Sequence, residues 1–418
     1  MIKLLSLYKR SGMGRAFRHR DFSVYVIAHS ASVVGLWVQR IAIQWLVWSL
    51  TGSYAWLGTI ALAEALASMF FSIAAGPFAD RFDRVRMAYV TQGLLMIVAF
   101  GLAIVTYFNL ISIPVITVFV LLMGTLEGIW APVRLALMPN LVPREDMPAA
   151  VSITSMMFTL AIFIGPAIGG QVIAWFDVEG AFIANSISYF GLLLVFSRIK
   201  LKQQASDATV KRGLFTDLVS GFIFTMQNPA LRAPIVFGAA FSLLIRPYRE
   251  LFAGIADEVF QRGAGGLAAL ASASGFGALI GASAIALYGR TRGLSITLYV
   301  VAASTVTMLI AFALSKNFLV SLIMTAGLSA CVTIFSTGAQ MLLQMSVSDN
   351  MRGRVMSVWQ AQFRGVPTIG AAIVGVLELY LDLPIVLVGS ALLFLLFIFW
   401  GIKWRTHFKQ LESEALSP

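Results

Sequence analysis

The sequence predicts an all-α membrane protein with twelve transmembrane helices in two pseudo-symmetric six-helix bundles. Three observations predict it: a composition 59% hydrophobic and only 12% charged, twelve long apolar runs, and a regular alternation of basic and non-basic connections. Soluble domains carry about 25% charged residues. In a bilayer each span must satisfy its own backbone, so only helices or a closed barrel can cross. Barrel strands would alternate apolar and polar residues. The runs here are continuous and about twenty residues long, the length a helix needs to cross about 30 Å of hydrocarbon.

In order, the runs are Ser23–Leu50, Tyr54–Ile73, Met87–Phe108, Ile113–Met138, Ala149–Phe176 and Ala181–Phe196, then Ile235–Ala256, Leu267–Leu287, Ser295–Ser315, Phe318–Met345, Val355–Tyr380 and Leu383–Gly401. A polar stretch divides them. It gives a basic N-terminal tail over 1–22, a first bundle over 23–198, a linker over 199–234, a second bundle over 235–402 and a tail over 403–418. Within the linker, Leu214, Phe215, Leu218, Val219 and Phe222 share one helical face, which predicts a short helix lying in the membrane interface.

One set of connections holds Lys3 to Arg20, Arg81, Arg84 and Arg86, Arg144, Arg198 to Arg232, Arg290 and Arg292, Arg352 and Arg354, and the tail residues Lys403, Arg405 and Lys409. The other holds only Arg262 and Lys316. Short cytoplasmic loops carry the Lys/Arg excess, so both termini are expected in the cytoplasm. The net charge of +11 is therefore read as topology and not as a nucleic-acid surface. The basic first residues lead into no cleavable signal pattern and read as a retained cytoplasmic tail. Cys331 stands alone, so no disulfide framework is expected. The three histidines have no metal-ligand spacing. No metal, cofactor or enzymatic constellation is expected, and no ATP-binding loop is present.

The two halves are related. Pro166-Ala167-Ile168-Gly169 recurs as Pro367-Thr368-Ile369-Gly370; Arg81 to Arg84 recurs as Arg290 and Arg292; Arg40 in the first run recurs as Arg246 in the seventh. All three pairs share a spacing of roughly two hundred residues, the mark of a duplicated unit able to rock about a midplane site.

The chain resembles the major facilitator superfamily over nearly its whole length. The connection GPFADRFDRVRM matches the superfamily's cytoplasmic signature at Gly76, Asp80, Arg81 and Arg84. It departs from the pattern at Asp83, where glycine is usual, and at Val85, where a basic residue is usual. The resemblance implies a cytoplasmic latch, with Gly76 allowing a tight helix exit, Asp80 at a helix N-terminus, and Arg134 reaching in from span four. In span five, AIFIGPAIGG resembles the motif of proton-coupled exporters at Gly165, Pro166, Gly169 and Gly170, with Ala161 in place of an earlier glycine. LVPREDMPAAVSITSMMF, RPYRELFAGIADEVF and VSDNMRGRVMSVWQAQFRGVPTIG are similar to the branch containing siderophore exporters and macrolide efflux pumps.

Ionisable residues at membrane depth cost about 2.5–3.5 kcal/mol each and are functional candidates by default. Glu127 lies mid-span, and the next ionisable residue on its helix is Arg134, about two turns on. A carboxyl in a low-dielectric site can exchange a proton near neutral pH, so Glu127 is the leading coupling candidate, followed by Glu64 and His29. Fixed ion pairs, Arg40 with Glu64 or Glu250 with Arg246 or Arg249, are the structural alternative. Trp37, Gln39, Arg40, Trp130, Arg246, Trp359, Gln362 and Arg364 are candidates to wall a cavity for a large amphiphile. Trp45 and Trp48 are instead expected in an outer aromatic belt. The expectation is a monomeric bacterial inner-membrane exporter that takes a siderophore or drug-like small molecule through the lipid bilayer in exchange for protons. A proton-coupled uptake symporter and a non-transporting assembly or sensor protein are the alternatives.

Overall fold

The computed structural model describes residues 12–81, 83–198, 214–290 and 292–416, with the backbone alone for 12, 13, 73, 74, 76–81, 214–218, 349, 350 and 414–416. Every element among the described residues is helical. In chain order these are α1 (Gly12–Ala16), α2 (Arg20–Thr51), α3 (Tyr54–Arg81), α4 (Arg84–Tyr107), α5 (Ile113–Leu141), α6 (Met147–Arg198), α7 (Leu214–Gln227) and α8 (Pro229–Leu244). There follow α9 (Gly263–Tyr288), α10 (Leu294–Leu314), α11 (Phe318–Ser346), α12 (Asp349–Glu378), α13 (Leu383–Gly401) and α14 (Arg405–Leu416). Among the described residues, ten segments are long and apolar enough to cross a membrane, one of them running 55 residues over Arg144–Arg198. That segment contains α6, which takes in the fifth and sixth apolar runs. Its helical winding breaks at Phe176 and at Asp177, whose φ of 56° lies in the left-handed region. The charged α12 is not among the ten.

The chain divides into two compact units, Met1–Leu46 with Leu66–Lys211, and Val47–Ala65 with Arg212–Pro418. The segment over 47–65, which the sequence assigns to the first bundle, thus belongs with the second unit.

In the first unit, α6 packs on α2 through span-five glycines. A Cβ on Gly165 would lie 2.5 Å from Trp37 Cβ, and one on Gly169 would lie 3.2 Å from the Val38 Cα. Gly128 of α5 meets the α3 backbone at Ser68 and Ser72. Small residues let membrane helices approach this closely. The N-terminal tail is pinned to this unit, with Arg15 Nε 3.0 Å and His19 Nε2 2.9 Å from the two carboxylate oxygens of Asp146.

In the second unit, Gly370 of α12 meets the Leu243 carbonyl and Pro247 of span seven, the counterpart of the Gly169 contact. The segment over 47–65 packs here too: Gly58 meets the α12 backbone at Ala371, and Gly375 meets that of Tyr54. Tail helix α14 docks on the same unit. Phe408 is buried against Phe237 and Tyr299, and the Glu412 carboxylate accepts from the backbone N–H groups of Gly293 and Ser295, capping α10.

Two sequence expectations are revised here. The seventh run is not a continuous helix. After Leu244 it passes into a 3₁₀ stretch over Arg246–Leu251, one α turn, and a π-helical turn over Ile255–Val259. Pro247 lacks an N–H and clashes with the preceding turn, which stops the α winding where Arg246 stands. Trp48 does not belong to a lipid-facing belt; only 7% of it is exposed, and its indole is hydrogen bonded within the second unit. The linker helix forms as α7, with Val219, Phe222 and Ile223 exposed and Gly221 against the Arg354 backbone. The side chains of Leu214, Phe215 and Leu218 lie outside those described.

Candidate functional site

Within the first unit the candidate residues sort into three groups. At the end nearest Asp146, His29 is buried and stacks on Tyr25 at 5.4 Å, with Trp130 edge-on at 6.1 Å. Arg134 Nη1 lies 3.5 Å from His29 Nε2. Trp130 also packs on Phe196 at 6.0 Å, inside the apolar core of this unit. Arg134 therefore meets His29 in this structure. Of the signature loop, Arg84 Nη1 donates to the Ala136 carbonyl at 3.2 Å. Asp83 accepts from Arg86 N at 2.9 Å as the N-cap of α4, which gives the departure from the family glycine a local role. The side chains of Asp80 and Arg81, and the surroundings of Gly76, lie outside the described set.

Nearer the middle, Gln39 is wholly buried. Asn185 Nδ2 donates to Gln39 Oε1 at 2.5 Å, and Gln39 Nε2 lies 2.9 Å from the Met123 sulfur. This joins α2, α5 and α6 inside the bundle, where polar side chains act as interhelical ties. The third group is Trp37 and Arg40, a turn apart on α2. The Arg40 guanidinium sits 5.2 Å from the Trp37 ring centroid. Glu127 is half-buried, on the α5 face that also carries Trp130 and Arg134 at helical spacing. Arg40 and Glu127 each take part in a further contact.

Within the second unit the broken seventh span is the organising feature. Non-helical backbone at membrane depth is tolerated only where protein buries it or a cavity hydrates it, and interrupted helices commonly mark transporter binding sites. Arg246 Nη1 donates to the Phe363 carbonyl of α12 at 2.6 Å, and its guanidinium lies 3.8 Å from the Phe363 ring centroid. The 3₁₀ winding over Arg246–Leu251 changes the helical spacing between Arg246 and Glu250, and the Glu250 carboxylate still acts electrostatically on Arg246. Trp359 is buried and stacks on Phe363 at 6.3 Å. Both amide atoms of Gln362 and Nε of Arg246 are buried with no hydrogen-bond partner among the described residues, so each keeps hydrogen-bonding capacity in hand. Arg364 is exposed and Glu64 half-buried in the same unit, each with a contact of its own. Behind these, Ser274 and Ser329 hydroxyls are 2.6 Å apart.

The sequence reading missed Asn185 as the partner of Gln39, although an amide inside an apolar run was a visible signal. It also missed Asp257, which accepts from Trp48.

Apolar helices, glycine-packed helix pairs and an unwound span define a polytopic α-helical membrane protein, and its family match places it among transporters of the major facilitator superfamily. Residues 13–418 match the family described as transmembrane secretion effector, and the chain belongs to that family. It is 30% identical over 179 residues to the staphyloferrin A transporter of Staphylococcus aureus; that match covers 41% of this chain and 45% of the relative, just under half its length. It is 26% identical over 366 residues to the enterobactin exporter EntS of Shigella boydii, covering 85% of both chains. Among solved structures, the nucleoside transporter NupG superposes with a TM-score of 0.72 at 13% identity, over 92% of this chain and 98% of that one. A likeness at that identity carries the fold alone.

Proposed function

We propose that this protein exports a small acidic organic molecule, of siderophore or drug-like kind, by alternating access and in exchange for protons. It works as a twelve-span monomer with both termini in the cytoplasm. The observation that carries the reading is the interrupted seventh span. It fixes the Arg246 guanidinium against Phe363 of α12. The neighbouring residue of α12, Gln362, has both amide atoms buried without a hydrogen-bond partner among the described residues. A cation and an amide suit an acidic, hydrogen-bonding cargo. Likeness to an enterobactin exporter over most of the chain supports the outward direction, and the basic connections support the orientation.

Glu127 is the coupling carboxyl. It sits mid-helix, half-buried, on the face leading to Trp130 and Arg134, where a proton taken up from outside is released inward as the units rock. Glu127→Gln imitates the protonated form with little change in volume. In proteoliposomes with an imposed pH gradient, using enterobactin and staphyloferrin A as probes, Glu127→Gln should abolish uphill movement while leaving probe binding intact. Persistence of pumping in Glu127→Gln with loss in Glu64→Gln would move the coupling site to the third helix, α3; persistence in both would remove either carboxyl from that role.

A further inference from the structure

A cavity of about 610 Å³ lies in the second unit, on the face opposite the basic connections, between the turn that follows the π-helical residues and the start of α11. Arg262, Lys316, Asn317, Phe260, Phe318 and Leu319 are among its walls. Arg262 and Lys316 are the two basic residues in the set of connections that otherwise lacks Lys and Arg, and the fold brings both to one cavity.

The site is built. Gln261 and Gly263, both at φ 52°, flank Arg262 in left-handed backbone, so the turn fixes where the guanidinium emerges. That guanidinium lies 4.4 Å from the Phe318 ring centroid, and Phe260 packs on the same ring at 5.3 Å. The Asn317 side chain accepts from the N–H groups of Leu319 and Val320, which fixes the first turn of α11 and the positive end of its dipole at the cavity wall. Of the two carboxylates just before Val259, Asp257 accepts from Trp48, and neither lines the cavity. Along α11 from the cavity, Leu319 and Ile323 lie on one face, 65% and 57% exposed.

A positive mouth continued by an exposed apolar stripe calls for a ligand with an anionic head and an apolar tail. We propose that this cavity binds the phosphate of a phospholipid from the outer leaflet, with Arg262 and Lys316 on the head and an acyl chain along Leu319 and Ile323. A soluble anion would use the same two cations but not the apolar stripe.

The test is native mass spectrometry of the full chain in detergent with added phosphatidylglycerol or diacylglycerol. Wild type should retain phosphatidylglycerol and release diacylglycerol, a comparison that needs no variant. Arg262→Gln/Lys316→Gln should lose bound phosphatidylglycerol on the order of tenfold. Arg290→Gln/Arg292→Gln, which removes the same charge from the other face, should retain it. Equal retention of the two lipids, or undiminished retention in Arg262→Gln/Lys316→Gln, overturns the proposal. Equal loss in both double variants reduces it to general charge. Displacement of the lipid by millimolar inorganic phosphate assigns the cavity to a free anion instead.

Discussion

Trp48 Nε1 donates a 2.9 Å hydrogen bond to Oδ2 of Asp257, joining residues 209 positions apart. Both belong to the second unit, where the Trp48 ring also packs on Tyr54 at 4.9 Å and Gly254 leaves no room for a Cβ beneath the two rings. Trp48→Phe keeps a ring and removes the donor; Asp257→Asn keeps an acceptor and removes the charge. Each should lower the unfolding free energy by about 1–2 kcal/mol. The double variant should cost no more than the larger single loss. Additive losses in a detergent melt would show that the two side chains act independently.

The repeated glycines give a graded expectation. At Gly370 an added Cβ meets the Leu243 carbonyl and Pro247, which cannot yield, whereas at Gly169 it comes to 3.2 Å from the Val38 Cα. Gly370→Ala should therefore cost about 1–3 kcal/mol, and Gly169→Ala less. A melt series with the order reversed contradicts the packing described.

The Gln39–Asn185 tie predicts a compensating pair. Asn185→Leu leaves a buried Gln39 oxygen without its donor and should cost about 1–2 kcal/mol. Gln39→Leu/Asn185→Leu removes both polar groups and should recover part of the loss. If the double variant is the less stable of the two, the bond is incidental to the packing.

Docking of the N-terminal tail should weaken in acid. The hydrogen bond from His19, and then that from Arg15, holds the Asp146 carboxyl below the usual carboxylate range. A depressed carboxylate stabilises the folded form at pH values above its unfolded pKa of about 3.9, and the contribution disappears as pH falls through the lower folded value. Amide protection over residues 14–19, corrected for intrinsic exchange, should hold near neutrality and fall in acid. Asp146→Asn should lower it already at pH 7. Protection that is unchanged in Asp146→Asn would show that the tail is held by apolar contacts alone.

Much of this was legible in the sequence. The helical membrane class was legible: among the described residues every element is helical and ten segments are long and apolar enough to cross a membrane, because continuous hydropathy reports what a bilayer requires of the backbone. The repeat was readable at Pro166 and Pro367: Gly169 packs on α2 at Val38, and Gly370 packs on the seventh run at Leu243 and Pro247. What escaped were features that depend on a distant partner. RPYREL reads as a continuing apolar run, so the interruption at Arg246 was hidden, although Pro247 was its signal. Trp48 has the composition of a belt residue, and only Asp257 makes it a buried donor. Gln39 resembled a cavity amide until Asn185 was placed beside it.

The central claim, outward movement driven by protons, is tested most directly in everted membrane vesicles. In these the cytoplasmic face is outside, and acidifying the lumen imposes the natural gradient. With labelled enterobactin as probe, the proposal predicts accumulation inside the vesicles that collapses when a protonophore is added and is absent in Glu127→Gln. Gradient-driven accumulation in right-side-out vesicles, with none in everted ones, would make the protein an uptake system and contradict the account.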